Sequence, residues 1–242
     1  MRLTFTAPFP ARVNRTRLAL ALLPAALLLI APAARAQFGA PSTTQVHDAS
    51  ALEPPAGARV AIIEFYDLEC PLCAQTNPQL ISAASQYKIP WIRHDFLIPG
   101  HIWSRQAAIS ARFLDTKSVK LGNDYRDYIF ANQISIETLP QLNIWTQKFA
   151  QAHGIALPFA VDPMGKFAAE VDADGDLGRR IGIVHTPTIF IVAKGGHAPL
   201  YTEVIDPLHR LFQTIDEVLA EARPAPSGKQ PPASSKQRSS TK

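Results

Sequence analysis

The sequence predicts a mixed α/β domain in which a helical insert interrupts a small sheet. Three observations favour this fold class. Apolar segments of strand length lie on either side of a central block, from about residue 100 to 182, in which apolar residues recur mostly at helical spacing. Apolar residues at helical intervals from Leu208 to Leu219 predict a terminal amphipathic helix. The hydrophobic fraction of 47% is sufficient for a buried core.

The first half of the predicted sheet surrounds one helix. Val60–Tyr66 is apolar except for Glu64, which predicts a buried strand. A helix is expected to begin near Pro71, because the missing N–H of a proline costs nothing in a first helical turn. Residues 91–98 predict a second strand, which a proline-glycine pair ends.

The rest of the domain is predicted to contain the insert and the second half of the sheet. Helical segments are expected near residues 103–115, 121–132, 138–153 and 163–181. Two strands, residues 188–192 and 201–204, lie on either side of a Gly-Gly turn and precede the terminal helix. Five aromatic residues of the helical segments are expected to lie mostly in the core of the insert: Trp103, Tyr125, Tyr128, Phe130 and Trp145.

The two ends of the chain differ in composition from the predicted domain, residues 59–221. Residues 1–36 combine arginines, an apolar run and small residues up to Ala36, which predicts a cleaved signal peptide; an uncleaved membrane anchor is the alternative. Residues 37–58 are interpreted as a lead-in segment. Residues 222–242 lack aromatic residues and predict a disordered basic tail.

Charge is unevenly distributed along the chain, which has 24 basic and 20 acidic residues. Residues 1–36 and 222–242 each contain five basic residues and no acidic residue, so the part between them has 14 basic and 20 acidic residues. This acidic domain does not offer the basic groove that phosphate groups require, so we predict no nucleic-acid partner.

Both cysteines of the chain lie in one Cys-x-x-Cys motif, Cys70-Pro71-Leu72-Cys73. A structural disulfide is one interpretation, but closing so short a ring gains little stability. A zinc site is another, but it would need two further ligands, and the seven histidines have no paired spacing. The third interpretation is a redox pair. A helix N-terminus favours the thiolate of Cys70, and Cys73 lies one turn later, where it can resolve a mixed disulfide.

Three aspartates have the spacing of the start of a calcium loop: Asp172, Asp174 and Asp176. Leu177 and Ile183 occupy the positions where such a loop requires glycine and glutamate. We therefore predict no metal site, and no cofactor other than a redox-active disulfide between Cys70 and Cys73.

The segment from Glu64 to Cys73 resembles the active-site strand and helix start of the DsbA-like thioredoxin-fold family. The sequence Thr186-Pro187-Thr188 resembles the second signature of that family, a threonine before a cis-proline that faces the two cysteines. The resemblance covers about residues 45–221. It implies a thioredoxin-like fold with a large helical insertion between the active-site half and the cis-proline half.

The resemblance also implies roles for individual residues. Glu64 corresponds to the buried acid that relays protons from the resolving cysteine; a glutamate that reaches solvent at the strand end is the alternative. Pro187 is expected to be cis, so that the backbone of Thr186 is free to pair with an extended substrate. Pro71 and Leu72 are expected to lie at the same binding surface, and Pro78 corresponds to the proline inside the active-site helix.

Three further residues are possible modulators of the redox site. His185 departs from the small residue that the family often has at this position, and it either favours the Cys70 thiolate or faces solvent. Asp67 and Glu69 place negative charge near Cys70, which should raise its pKa relative to a neutral context. Leu72 supplies no charge. We therefore predict a milder oxidant than the most oxidising members of the family.

The predicted function is an exported, periplasmic thiol-disulfide oxidoreductase that acts on cysteine-containing exported proteins. The resemblance implies a quinone-linked membrane partner for recycling. Residues 37–58 are too few for a dimerisation module, so we expect a monomer. Three alternatives stay open: a reductase or isomerase of the same fold, a thioredoxin-fold metallochaperone, and a non-catalytic binding module. A copper chaperone would require one more residue between the cysteines.

Overall fold

A four-stranded sheet forms the centre of residues 43–223, the part of the chain that the computed structural model describes. The strands are β1 (Val60–Tyr66), β2 (Trp91–Asp95), β3 (Thr188–Ala193) and β4 (Tyr201–Glu203). The helices are α1 (Pro71–Tyr87), α2 (Ser104–Asp115), α3 (Val119–Asn132), α4 (Leu139–Ala152), α5 (Lys166–Ile181) and α6 (Pro207–Glu221), with a 3₁₀ turn at Gln133–Ser135. The expected signal peptide and nearly all of the expected tail lie outside the described residues.

The strand order is β2-β1-β3-β4. Strands β1 and β2 are parallel and joined by α1, whereas β3 runs antiparallel to both β1 and β4. Helices α2 to α5 lie between β2 and β3 in the chain. The structure thus confirms the predicted α/β fold, including the helical insertion between its two halves.

Strand β1 is buried on both faces, and its side chains alternate between two cores. Val60 and Ile62 pack with residues of α1 and α6, including Leu80. Ala61 and Ile63 pack on the opposite face, with residues that include the end of α5. Because side chains two residues apart share a face, Glu64 also lies beneath α1.

Strand β2 is shorter than predicted and ends at Asp95 rather than at residue 98. The amide of Phe96 still donates to the carbonyl of Tyr66, at 2.8 Å, but Tyr66 is the last residue of β1. The amide of Ile98 instead donates to Oδ2 of Asp67, at 2.8 Å. The second strand therefore ends where its neighbour no longer supplies a backbone partner.

The helical insert has an aromatic core that borders the cysteines. Trp103, Tyr125 and Phe130 are buried there, in the same cluster as Cys70 and Cys73. The remaining two predicted aromatic residues pack against this cluster while partly buried: Tyr128 and Trp145. The expected aromatic core is confirmed, and it extends as far as the start of α1.

The three aspartates of α5 bind basic side chains. Asp172 accepts two hydrogen bonds from Arg105, and Asp174 lies against His94 and Arg112. The third, Asp176, pairs within the helix with Arg179. The contacts of Asp172 and Asp174 hold α5 to α2 and β2.

The described part of the lead-in segment packs against the domain. Leu52 is buried, and the amide of His47 donates to the carbonyl of Ile181, at 2.8 Å. Thr44 donates to the carboxylate of Glu203 through its amide and its hydroxyl, both at 2.7 Å. In residues 43–223 no helix combines the length and the apolar composition that a membrane crossing requires.

The close packing of α5 on the sheet predicts opposite effects for two glycine substitutions. A Cβ at Gly178 would lie 2.5 Å from a ring carbon of Phe96 and 3.3 Å from one of Phe65, whereas a Cβ at Gly175 would meet only the flexible end of Arg179. Overpacking should make Gly178→Ala lower the free energy of unfolding by about 1–3 kcal/mol. Gly175→Ala should raise it by up to about 1 kcal/mol through helix propensity.

Urea unfolding of the oxidised wild type and both variants measures the difference. Gly175→Ala is the matched control, because it makes the same change in the same helix. Equal stabilisation by both substitutions would contradict the packing of α5 described above.

Candidate active site

The two cysteines lie at the beginning of α1, as free thiols. Cys70 is the N-cap residue, with extended backbone geometry, and Pro71 occupies the first helical turn. The amide of Cys73 donates to the sulfur of Cys70, at 3.4 Å. Cys70 is 7% exposed and Cys73 is completely buried, so only the first sulfur is open to a second molecule.

The loop before β3 brings Thr186 and Pro187 to the cysteines. The thiol of Cys70 donates to the carbonyl oxygen of Thr186, at 3.3 Å, although the two residues are 116 positions apart. The Thr186-Pro187 peptide bond is cis, which confirms the expectation. The structure therefore joins the two sequence motifs on which the resemblance rests.

The environment of Cys70 favours its thiolate. Its pKa is lowered from the ordinary 9.0 to about 6, chiefly by the hydrogen bond from the Cys73 thiol. The backbone amides of Cys73 and Leu72 act in the same direction, while burial opposes them. The pKa of Cys73 is raised instead, because its sulfur is buried and lies beside Cys70. The two sulfurs of one motif thus have opposite acid-base character.

Glu64 is completely buried beneath this pair, so the alternative of a glutamate that reaches solvent is wrong. Burial raises its pKa from 4.5 to about 7. Its two oxygens differ: Oε2 accepts a hydrogen bond from the indole N–H of Trp91, at 3.1 Å, whereas Oε1 has no partner within residues 43–223. A carboxyl group with one unbound oxygen and a pKa of about 7 is able to hold or release a proton near neutral pH.

Trp91 and Arg93 of β2 complete the buried cluster, and sequence analysis missed both. The guanidinium of Arg93 stacks 3.6 Å from the ring of Trp91, and its Nε lies 3.9 Å from Oε2 of Glu64. Its Nη2 donates to Asn77 and to Asp127, each at 2.6 Å. Arg93 is the register partner of Glu64 in the parallel pairing of β1 with β2, and no local sequence pattern gives that register.

The acids beside Cys70 bind backbone and imidazole groups. Asp67 accepts from the amides of Glu69 and Ile98, and its Oδ2 lies 2.8 Å from the imidazole of His101. Glu69 accepts from the amides of Trp103, at 2.7 Å, and Ser104, at 3.0 Å, at the start of α2. Despite the nearby acids, the pKa of Cys70 is lowered; the expected opposing effect of these charges stays a prediction.

Gln133 is a second residue that sequence analysis missed. Its side-chain amide donates to the carbonyl oxygens of Leu68, at 2.7 Å, and Cys70, at 3.0 Å. It thereby fixes the loop between β1 and α1 from the end of the insert helix α3. A glutamine at a helix end has no local pattern that predicts such a contact.

The remaining predicted site residues lie at the rim. Pro71 is exposed and Leu72 is 39% exposed, so both face solvent beside Cys70. His185 is held locally, because the hydroxyl of Thr188 donates to its carbonyl at 2.8 Å and lies 3.2 Å from its Nδ1. A direct effect of His185 on Cys70 stays a prediction.

Metal binding at this site would rest on Cys70 and Cys73. Thiolates are good ligands for zinc and Cu(I), but a closed structural zinc site has four ligands. Within residues 43–223, no group of three or more His, Cys, Asp or Glu side chains is placed to hold a metal ion.

The hydrogen bond between the two thiols predicts how the Cys70 pKa responds to substitution. In reduced wild type, the thiolate absorbance should titrate with a midpoint of about 6. Cys73→Ala removes the donor and should raise the midpoint by about one unit or more. Cys73→Ser retains a hydroxyl donor and serves as the matched control, with a midpoint closer to that of the wild type. Equal midpoints in the two variants would contradict the assignment.

The burial of Glu64 predicts a pH-dependent stability. Between its ordinary pKa of 4.5 and about 7, the carboxyl ionises in the unfolded chain but stays protonated in the folded one. The folded state then binds more protons, so stability falls as the pH rises through this window. The loss is about 3 kcal/mol, and Glu64→Gln should lack it.

Urea unfolding of the oxidised protein at pH values of about 4 and about 8 tests this expectation. The difference in stability between Glu64→Gln and wild type should shift towards the variant by about 3 kcal/mol at the higher pH. Glu53→Gln, at an exposed acid, should show almost no shift. An identical pH dependence in wild type and Glu64→Gln would refute the raised pKa.

Comparison with known proteins places the chain in a family. A family model described as thioredoxin matches residues 56–205. Several solved structures are similar in fold, among them the three that follow. Wolbachia pipientis alpha-DsbA1 has 17% identity, a TM-score of 0.56, and coverage of 70% of this chain and 90% of its own. A periplasmic thioredoxin-like protein from Salmonella enterica serovar Typhimurium has 19% identity, a TM-score of 0.52, and coverage of 66% and 84%.

The third is ScsC from Proteus mirabilis, with 17% identity, a TM-score of 0.53, and coverage of 69% of this chain and 71% of its own. No curated protein matches the chain. At these identities the structures show the fold alone, whereas the family model spans more than half of the chain and includes both site motifs. The chain belongs to the thioredoxin family.

Proposed function

We propose that the protein is a thiol-disulfide oxidoreductase that exchanges disulfides with cysteine-containing exported proteins through Cys70 and Cys73. One observation carries the proposal. At a single helix N-terminus, Cys70 has a pKa lowered to about 6, while the buried Cys73 has a raised pKa. This difference suits one sulfur to attack or to leave as a thiolate and the other to resolve the mixed disulfide.

The first half of the reaction starts from the oxidised pair. A substrate thiolate attacks the sulfur of Cys70, a new S–S bond forms, and the Cys70–Cys73 bond breaks. The electron pair of the broken bond goes to Cys73, whose raised pKa demands a proton. Glu64, with a pKa of about 7 and an unbound oxygen, is the candidate donor of that proton.

The second half releases the oxidised substrate. The second cysteine of the substrate, as a thiolate, attacks the substrate sulfur that is bonded to Cys70. A disulfide forms within the substrate, the mixed disulfide breaks, and Cys70 leaves as a thiolate. A pKa of about 6 makes Cys70 a good leaving group at neutral pH. Two electrons have then moved from the substrate dithiol to the protein, which now holds the reduced pair.

The backbone of Thr186 is the candidate contact for the substrate main chain. Its carbonyl lies 3.3 Å from the Cys70 sulfur, at the point where a mixed disulfide would form. Backbone pairing with an extended segment depends little on side-chain identity, which suits an enzyme with many substrates.

The redox potential should be intermediate. The Cys70 pKa of about 6 lies between about 7 in thioredoxin and about 3.5 in DsbA. A more stable thiolate stabilises the reduced form, so we expect a potential between about −270 mV and about −120 mV. This agrees with the expectation from Leu72, which adds no charge to the motif.

Location and partners complete the proposal. Arginines, the apolar run and small residues in residues 1–36 support export to the periplasm through a cleaved signal. An oxidant that acts repeatedly must be reoxidised, and a membrane protein linked to quinones is the proposed partner. The protein itself is proposed to act as a monomer.

Equilibration with glutathione tests the potential, and oxidation of a dithiol peptide and reduction of insulin test the activity. We expect activity in wild type and none in Cys70→Ser. A potential outside the stated interval would contradict the thiolate argument, and activity no higher than that of Cys70→Ser would contradict the proposed function.

Cys73→Ala isolated from cells should carry exported proteins as mixed disulfides; Cys70→Ser/Cys73→Ala is its control. Trapped proteins that are all cytoplasmic would contradict the proposed substrates.

A further inference from the structure

A groove of about 560 Å³ lies beside the redox site, between the start of α1 and the helical insert. Its apolar lining comes from the first turns of α1, the residue before α2, the end of α3, and the 3₁₀ turn with the residue that follows it. Six side chains supply most of that lining: Pro71, Ala74, Trp103, Phe130, Ile134 and Ile136. The groove is separate from the Thr186-Pro187 loop, which contacts Cys70 without lining it.

The groove is continuous with the redox site. Pro71 lines it and is the next residue after Cys70. Gln133 also lines it, while its side chain donates to the carbonyl oxygen of Cys70 at 3.0 Å. A chain joined to the Cys70 sulfur therefore passes within a residue or two of the groove.

Apolar side chains are exposed at this place. Ile134 is 93% exposed and Leu72, beside the groove, is 39% exposed. Large apolar side chains that stay exposed next to a concave apolar surface are typical of contact sites. A bulky apolar side chain of a partner that enters the groove would remove its own surface and the apolar lining from water.

The groove is acidic as well as apolar. Among residues 43–223, Glu69 and Glu137 line it and no Lys or Arg does. Glu69 is held in place by two backbone amides at the start of α2, whereas Glu137 is exposed. A basic side chain beside the apolar one is therefore the complementary feature in a partner.

The basic tail of the chain itself does not fit this description. From Arg223 onwards it contains no aromatic residue and no Leu, Ile, Val or Met. Such a tail supplies the positive charge but nothing to bury in an apolar groove.

We infer that the groove binds the segment of a substrate protein next to its reacting cysteine, and that it selects a bulky apolar residue adjacent to a lysine or arginine. This inference rests on the proposed function and adds sequence preference to it. Backbone pairing at Thr186 would hold any extended segment, whereas the groove distinguishes between segments.

Competition between peptides for Cys70 tests the inference. The full chain with Cys73→Ala is first converted to its mixed disulfide with glutathione. A peptide thiolate then displaces glutathione, forming one S–S bond and breaking another, and mass spectrometry measures the product ratio at equilibrium. Each peptide has one cysteine, with Phe-Lys, Ala-Lys or Phe-Glu placed within three residues before or after it.

In at least one of the two placements, the Phe-Lys product should exceed the Ala-Lys product by about tenfold. It should exceed the Phe-Glu product by a smaller factor, up to about fivefold, because the charges meet near solvent. Equal amounts of all products in both placements would overturn the groove inference while leaving the proposed function intact. Failure of every peptide to displace glutathione would instead overturn the proposed function.

Two substitutions assign the preference to the groove. Glu137→Lys should reverse the preference between Phe-Lys and Phe-Glu, whereas Glu53→Lys, which makes the same charge change outside the groove, should not. Ile134→Ser should reduce the preference for phenylalanine, whereas Ile144→Ser, at a residue of α4 that is 52% exposed, should not. Equal effects of a variant and its control would overturn the assignment.

Discussion

The pairing of β1 with β3 is the constraint on which the redox site depends. In this antiparallel register Phe65 lies opposite Thr188, so the end of one strand and the beginning of the other meet at one edge of the sheet. Helix α1 starts six residues after Phe65, and the Thr186-Pro187 bond lies just before Thr188. A register shift of one residue would exchange the side chains of two different buried faces and displace the two motifs from each other.

The insert stabilises the site that this pairing creates. Gln133 binds two carbonyl oxygens of the loop before α1, and Glu69 of that loop caps the start of α2. Trp103, buried at the same place, donates from its indole to the carbonyl of Ile136, at 3.0 Å. Loop and insert therefore support each other. Glu69, which the sequence analysis treated as a charge near Cys70, has a positional role in the structure.

Much of the fold and part of the site could be predicted because their signals are local. The apolar run of β1, the helical spacing of the insert and the Cys-x-x-Cys motif are each visible in a short window. Glu64 could be proposed because an acid inside an apolar strand is unusual. Gln133, Trp91 and Arg93 could not, since their roles come from contacts between elements 27 to 65 positions apart in the chain. The groove could not be predicted either, because it forms where segments that are distant in the sequence pack together.

The fixed charge of Arg93 has a consequence for how many protons the site exchanges. A guanidinium does not lose its proton in the pH range where proteins function, whereas an amine in the same place would have its own titration. Two groups of this buried cluster have pKa values shifted towards neutral pH: the Cys70 sulfur, at about 6, and the Glu64 carboxyl, at about 7. Under the proposed function, oxidation and reduction of the pair would be coupled to the protonation of Glu64, while the charge of Arg93 stays the same.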